Sequence, residues 1–270
     1  MAISKWTAIG CTAASLTILA ISTRFLPFHQ SYREPRASLT HRDSFAVSVV
    51  TPEQHRGIHH HGIQENFSLL IPASRFKSGV SDEEILARFT KGFFSGLAFT
   101  PERWILRTIP FSLTSIPDIK KALAKRSQNN TSGLVVGPNI WDPSCISSKS
   151  TPSVASLLFG NFLALDSSLL THAQRDQLPD DYIRHAKPSH AFVEFAWGGE
   201  GLGLAGSHRF EVSRHEVKQA AETDEFVKIT FSCVACRPQT GQPPSSYILW
   251  FHLLYARILF SDGIKGVLTE

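Results

Sequence analysis

Glu194, His208 and His252 are the side chains that the sequence places best for moving a proton. Glu194 stands in Ala191-Phe192-Val193-Glu194-Phe195-Ala196-Trp197, where alternation puts Val193, Phe195 and Trp197 on one face of a strand and Phe192, Glu194 and Ala196 on the other. A carboxyl held between aromatic neighbours on a partly buried sheet loses hydration. Its pKa then rises, and it can act as acid or base near neutrality. His208 falls on the next strand and His252 on a closing helix, and imidazole titrates in the same range. The expectation is a catalytic set of Glu194, His208 and His252 around one cavity. The competing reading leaves Glu194 and Lys228 on the solvent face of the sheet. Arg103, Trp104 and Trp197 are expected to bind ligand, with an arginine–aromatic surface contact as the alternative for Arg103 and Trp104.

Three further groupings carry less chemistry than their spelling suggests. Gly201-x-Gly203-x-x-Gly206 matches a dinucleotide fingerprint, but that motif works by opening a helix onto a pyrophosphate. Here Ser207-His208-Arg209-Phe210-Glu211-Val212 continues as a strand, so the glycines read as a hairpin loop. Cys233-Val234-Ala235-Cys236 lacks both the helix of a redox pair and a second ligand pair for structural zinc, and reads as two ordinary thiols. His55, His59, His60 and His61 form a histidine-rich turn with no carboxylate at metal-site spacing. No G-x-S-x-G, H-E-x-x-H or Walker loop is present, so classical hydrolases, zinc proteases and nucleotide-triphosphate enzymes are disfavoured. No metal and no cofactor is expected.

The elements that must position these residues are clearest near the end of the chain. Residues 191–197, 208–213 and 226–233 read as three successive strands of a meander, and Tyr247 to about Leu268 as a long, mostly apolar helix. Upstream, strands are expected at 45–50, 67–71 and 134–136. Ser81-Asp82-Glu83-Glu84 is a capping box that opens an amphipathic helix over 82–99. Short helical turns follow at 101–107 and 118–126, a turn at 129–132 and an irregular loop at 138–152. Periodicity leaves 154–165 open between buried strand and buried helix. The fold class is α+β: an antiparallel curved sheet with a long C-terminal helix, preceded by one N-terminal transmembrane helix.

Composition supports a sizeable core. Apolar residues make up 42% of 270, with 19 Phe and 5 Trp, and a net charge of +4 without a basic block argues against nucleic-acid binding. Four cysteines, one of them Cys11 in the leader, exclude a disulfide-rich scaffold. Trp6 to Thr23 is an uncharged stretch between Lys5 and Arg24, nearly long enough to cross a hydrocarbon core of roughly 30 Å. It is expected to stay as an anchor, although Ala20-Ile21-Ser22 also suits signal-peptide cleavage. The division is an anchor over 1–26, a linker over 27–43 and a single domain over 44–270. Arg24, Arg33, Arg36 and Arg42 place the domain on the cytosolic side, on a single-pass membrane protein of the endoplasmic reticulum. Sequons at Asn66, Asn129 and Asn130 matter only for a luminal or secreted glycoprotein.

Two resemblances add expectations. His190-Ala191-Phe192-Val193-Glu194-Phe195, the glycine turn, Gly206-Ser207-His208-Arg209-Phe210-Glu211-Val212, Val227-Lys228-Ile229-Thr230-Phe231-Ser232 and Tyr255-Ala256-Arg257-Ile258-Leu259-Phe260 resemble the close of a helix-grip domain, in particular the uncharacterised family numbered 1990. That family offers no catalytic residues to carry over. Phe93-Phe94-Ser95-Gly96-Leu97-Ala98-Phe99-Thr100-Pro101-Glu102-Arg103-Trp104, with the leader, is similar to small membrane-anchored fungal proteins of natural-product clusters. The second resemblance implies a cofactor-independent cyclase or isomerase acting on a hydrophobic polyketide or terpenoid intermediate. The partners would be the lipid bilayer, that small molecule and other membrane-bound biosynthetic enzymes. The alternatives are a non-catalytic binder of lipophilic ligands, or a secreted glycoprotein if the leader is cleaved.

Overall fold

A computed structural model describes residues 63–108, 139–154, 156–167, 191–199, 204–219, 222–237 and 246–269. Within them the chain forms β1 (Ile63–Pro72), α1 (Asp82–Ser95), α2 (Thr100–Thr108), β2 (Asn139–Ile140), β3 (Leu157–Leu158), β4 (Phe162–Ser167), β5 (Ala191–Gly199), β6 (Leu204–Gln219), β7 (Glu222–Cys236) and α3 (Ser246–Thr269). The strands make one sheet in the order β1-β7-β6-β5-β4-β3-β2. Strands β3 to β7 pair antiparallel in succession, β1 closes antiparallel on β7, and only β2–β3 is parallel. The mixed α/β fold, the mostly antiparallel sheet and the C-terminal helix expected from the sequence are therefore present. Among the described residues no helix is long and apolar enough to cross a membrane. The expected anchor (6–23), the strands at 45–50 and 134–136, the histidine turn, the helix at 118–126, Asn129 and Asn130 lie outside the described residues.

Local chemistry accounts for the boundaries. Ser81 caps α1 as the capping box requires, its Oγ accepting from the Glu84 amide at 3.2 Å. The helix stops at Ser95, short of the expected 99, because Gly96 is extended and Leu97 is 66% exposed. The open stretch 154–165 resolves as a hairpin. Phe159 (φ 52°) and Gly160 (φ 68°) carry the chain through left-handed backbone between β3 and β4. For a phenylalanine that conformation costs roughly 1–2 kcal/mol. Phe159 is fully buried against Phe94 and Phe99, and burying such a side chain returns about 1.5–3 kcal/mol.

One face of the sheet, called inner here, carries Phe67, Val193, Phe195, Phe210, Val212 and Phe231 against α1 and α3. Helix α1 meets it with Ile85, Leu86, Phe89, Phe93 and Phe94, the expected amphipathic stripe. The Phe93 ring touches Phe94, Phe210 and Phe231 at centroid separations of 4.8–5.1 Å. Phenylalanines thus fill most of the space between sheet and helices. Helices α1 and α3 cross almost backbone to backbone: a Cβ on Gly92 would lie 2.7 Å from the Asp262 carbonyl and 3.0 Å from Gly266 Cα. Two side-chain contacts tie α3 to the segment that follows α1 and to α2. Asp262 accepts from the Ala98 amide at 2.9 Å, and the Tyr255 hydroxyl donates to Glu102 at 2.7 Å.

Candidate functional site

Strand parity brings the inner-face site together. Paired residues Phe195, His208 and Cys233 form one row across β5, β6 and β7, so the imidazole and the thiol are inner-face neighbours. Helix α3 lowers His252 onto this row. Its Nε2 lies 3.1 Å from Cys233 Sγ, in hydrogen-bond contact, and its ring stacks on that of His208 at 6.2 Å and 30°. Trp197, next on the inner face of β5, lies 5.6 Å from His208 and 6.1 Å from His252 between ring centroids. It has room because its partner on β6 is Gly206: a Cβ there would come within 2.6 Å of the indole. The glycine that imitates a nucleotide fingerprint instead seats a tryptophan.

The electrostatics of the cluster are those of neutral donors. His208 is 6% exposed, ringed by Phe93, Phe162 and Phe231. Burial pushes its pKa well below the ordinary 6.5, and nearby His252 pushes it further the same way. Burial also lowers His252. Neither ring nitrogen of His208, nor Nε1 of Trp197, finds a hydrogen-bond partner among the described residues. Each such orphan costs about 1–3 kcal/mol unless a water, a ligand or an ion satisfies it, so three on neighbouring side chains make this the candidate site.

Glu194 is not part of this cluster. It sits on the opposite, outer face, as its alternation with Val193 and Phe195 requires, paired across to Arg209. Arg209 Nη1 lies 3.7 Å from its carboxylate, stacks 3.8 Å above the Phe192 ring and bonds Glu211 through Nε at 2.7 Å. The expectation that Glu194, His208 and His252 share a cavity is thereby corrected: the sheet separates them. The solvent-face alternative fails as well, because Glu194 is only 2% exposed. Trp197 joins the cluster, whereas Arg103 and Trp104 lie elsewhere. Arg103 ties α2 down by donating to the Phe94 carbonyl and to Thr100 Oγ1, and Trp104 is 69% exposed. Asn66 lies within β1, opposite Ser232.

Cys233 is the residue that sequence reasoning passed over. Its signal was available: 227, 229, 231 and 233 alternate on one face of β7, so Cys233 follows Phe231 inward, and Cys236 is three residues on. The donor atoms of His208, Cys233 and His252 all lie within 4.8 Å of one another. Such a trio can take up a proton from a substrate, offer it a hydrogen bond, or ligate a cation. Comparison with known family models, characterised proteins and solved structures finds no match.

Proposed function

We propose that the domain is helix-grip-like and rearranges a hydrophobic, oxygen-bearing small molecule at the His208–Cys233–His252 centre. The reaction class is cyclisation or double-bond isomerisation of a polyketide- or terpenoid-type intermediate. The observation that carries this reading is the placing of unsatisfied polar atoms: His208 and Trp197 present three orphaned nitrogens amid an otherwise largely apolar inner face. An apolar wall selects a greasy substrate, and a few convergent polar groups orient its one oxygen function. With Glu194 on the other face, the imidazole of His252 or His208 takes the role of exchanging a carbon-bound proton next to that oxygen. The uncharged run 6–23 would hold the domain at a bilayer, on its cytosolic side, where such intermediates and their membrane-bound enzymes collect.

The test uses the purified full-length chain and β-ionone, a terpenoid enone, in heavy water. Mass spectrometry should show deuterium entering the positions adjacent to the conjugated carbonyl faster than in buffer, and His252→Gln should return the rate to that of buffer. Quenching of tryptophan emission by β-ionone in wild type but not in Trp197→Phe, with no deuterium uptake, would favour the non-catalytic binder. Absence of both effects would remove the proposal.

A further inference from the structure

The structure assigns a second property to the same centre: His208 on β6, Cys233 on β7 and His252 on α3 form a three-donor site for a zinc(II)-type cation, with a fourth position open. This deepens the function proposed above and rests on it only for the substrate; the metal site stands on its own geometry. Two imidazoles and a thiolate are the ligand types that zinc prefers. Their donor atoms already lie within 4.8 Å of one another, and Cys233 Sγ is 3.1 Å from His252 Nε2. Ligands around tetrahedral zinc stand roughly 3.3–3.6 Å apart, given bonds of about 2.0–2.3 Å. Modest side-chain rotation closes the wider separation and opens the narrower one.

A second observation points the same way independently of the cluster. His208 is a polar side chain 6% exposed, with both nitrogens unpartnered among the described residues and turned toward the other two donors. A cation there supplies a partner for one of those two nitrogens. The sequence argument against structural zinc at Cys233-x-x-Cys236 is the lack of a second ligand pair. The fold supplies ligands instead from a neighbouring strand and from a helix 19 residues further along the chain.

The binding step balances simply. The cation accepts lone pairs from one nitrogen of each imidazole and from Cys233 sulfur, and the thiol proton leaves to water. Three protein ligands leave the fourth position for water or a substrate oxygen, the layout of catalytic rather than structural zinc. A carbonyl oxygen seated there is polarised by the metal, so the neighbouring carbon–hydrogen bond becomes more acidic. With both imidazoles ligating, that proton passes to solvent water, and the histidines hold the cation instead of acting as the base. That accounts for how an enone would be activated in a site without the buried carboxylate that the sequence suggested.

The experiment is cobalt(II) titration of the chelator-stripped full-length protein. Expected are one equivalent bound, the visible bands of tetrahedral cobalt, a near-ultraviolet thiolate-to-cobalt band, quenching of Trp197 emission, and displacement by one equivalent of zinc(II). Cys233→Ser should abolish the thiolate band. His208→Ala and His252→Ala should each weaken binding by more than about a hundredfold. Cys236→Ser, and alanine at His55, His59, His60 and His61, should leave the spectrum unchanged. No thiolate band in the wild-type protein, a reading that needs no variant to fold, would overturn the inference. So would a band that survives both histidine substitutions but is lost in Cys236→Ser. Cobalt uptake without any effect of β-ionone would uphold the metal site and refute only the proposed substrate.

Discussion

Glu102 offers a test of the packing around α3 that needs no ligand. It stands in the first turn of α2, and its carboxylate accepts the Tyr255 hydroxyl at 2.7 Å. Burial raises Glu102 from an ordinary 4.5 to about 7, against the smaller opposing effect of the Tyr255 hydrogen bond. Burial also drives Tyr255 well above its ordinary 10, with the Glu102 charge adding to the effect. An acid whose pKa rises on folding binds its proton more tightly in the native state. Its stabilising contribution is therefore complete below pH 4.5 and is lost as pH climbs through about 7. At about 1.36 kcal/mol per pH unit the span amounts to at most about 3 kcal/mol. The residue is partly exposed, so water screening brings the figure to about 1–3 kcal/mol. Glu102→Gln keeps a carbonyl oxygen for Tyr255 and removes the titration. Urea unfolding of both proteins should show the variant gaining on wild type by that amount between about pH 4.5 and 8.5. A difference that stays flat with pH, or runs the other way, would refute the reasoning.

Three other substitutions probe features the fold revealed. Arg209→Ala strips the partner from a 2%-exposed Glu194 and should cost about 3–5 kcal/mol in unfolding free energy, much of it recovered when Glu194→Gln is added. Glu194→Gln alone should leave deuterium exchange intact, since the residue faces away from the cluster. Gly92→Ala would gain about 1 kcal/mol of helix propensity on an open helix. Its new methyl meets the Asp262 carbonyl at 2.7 Å, an overpacking that costs about 1–3 kcal/mol, so thermal unfolding should fall rather than rise.

What the sequence made legible was local. The capping box at Ser81, the strand alternation of Ala191 to Trp197 and the long apolar run after Ser246 each announce an element, because each depends on neighbours within a few residues. Parity even separated Glu194 from Trp197. It could not say which face would meet the helices, and that choice decided the site. Phe159 hid the β3–β4 turn, since a phenylalanine in left-handed backbone is held there by tertiary burial rather than by its own preference. Cys233 looked inert because its partners come from elsewhere: His208 is fixed by strand register and His252 by helix docking. A pairing shifted by one residue would have turned Cys233 outward.

Helix docking is the less obvious of those two determinants. His252 lies 14 residues before Gly266, and at about 1.5 Å per residue the crossing with Gly92 is roughly 21 Å away along α3. A contact so distant fixes the depth of the helix but leaves its near end free to swing. Asp262 on the Ala98 amide and Tyr255 on Glu102 sit between, the latter less than one turn from His252. They set the rotation of α3 as well as its depth, and so hold an imidazole 3.1 Å from a thiol on the sheet. The segment Gly96 to Arg103, in which an exposed Leu97 and a carboxyl with a raised pKa look like defects, works as the bracket that aims His252 at Cys233.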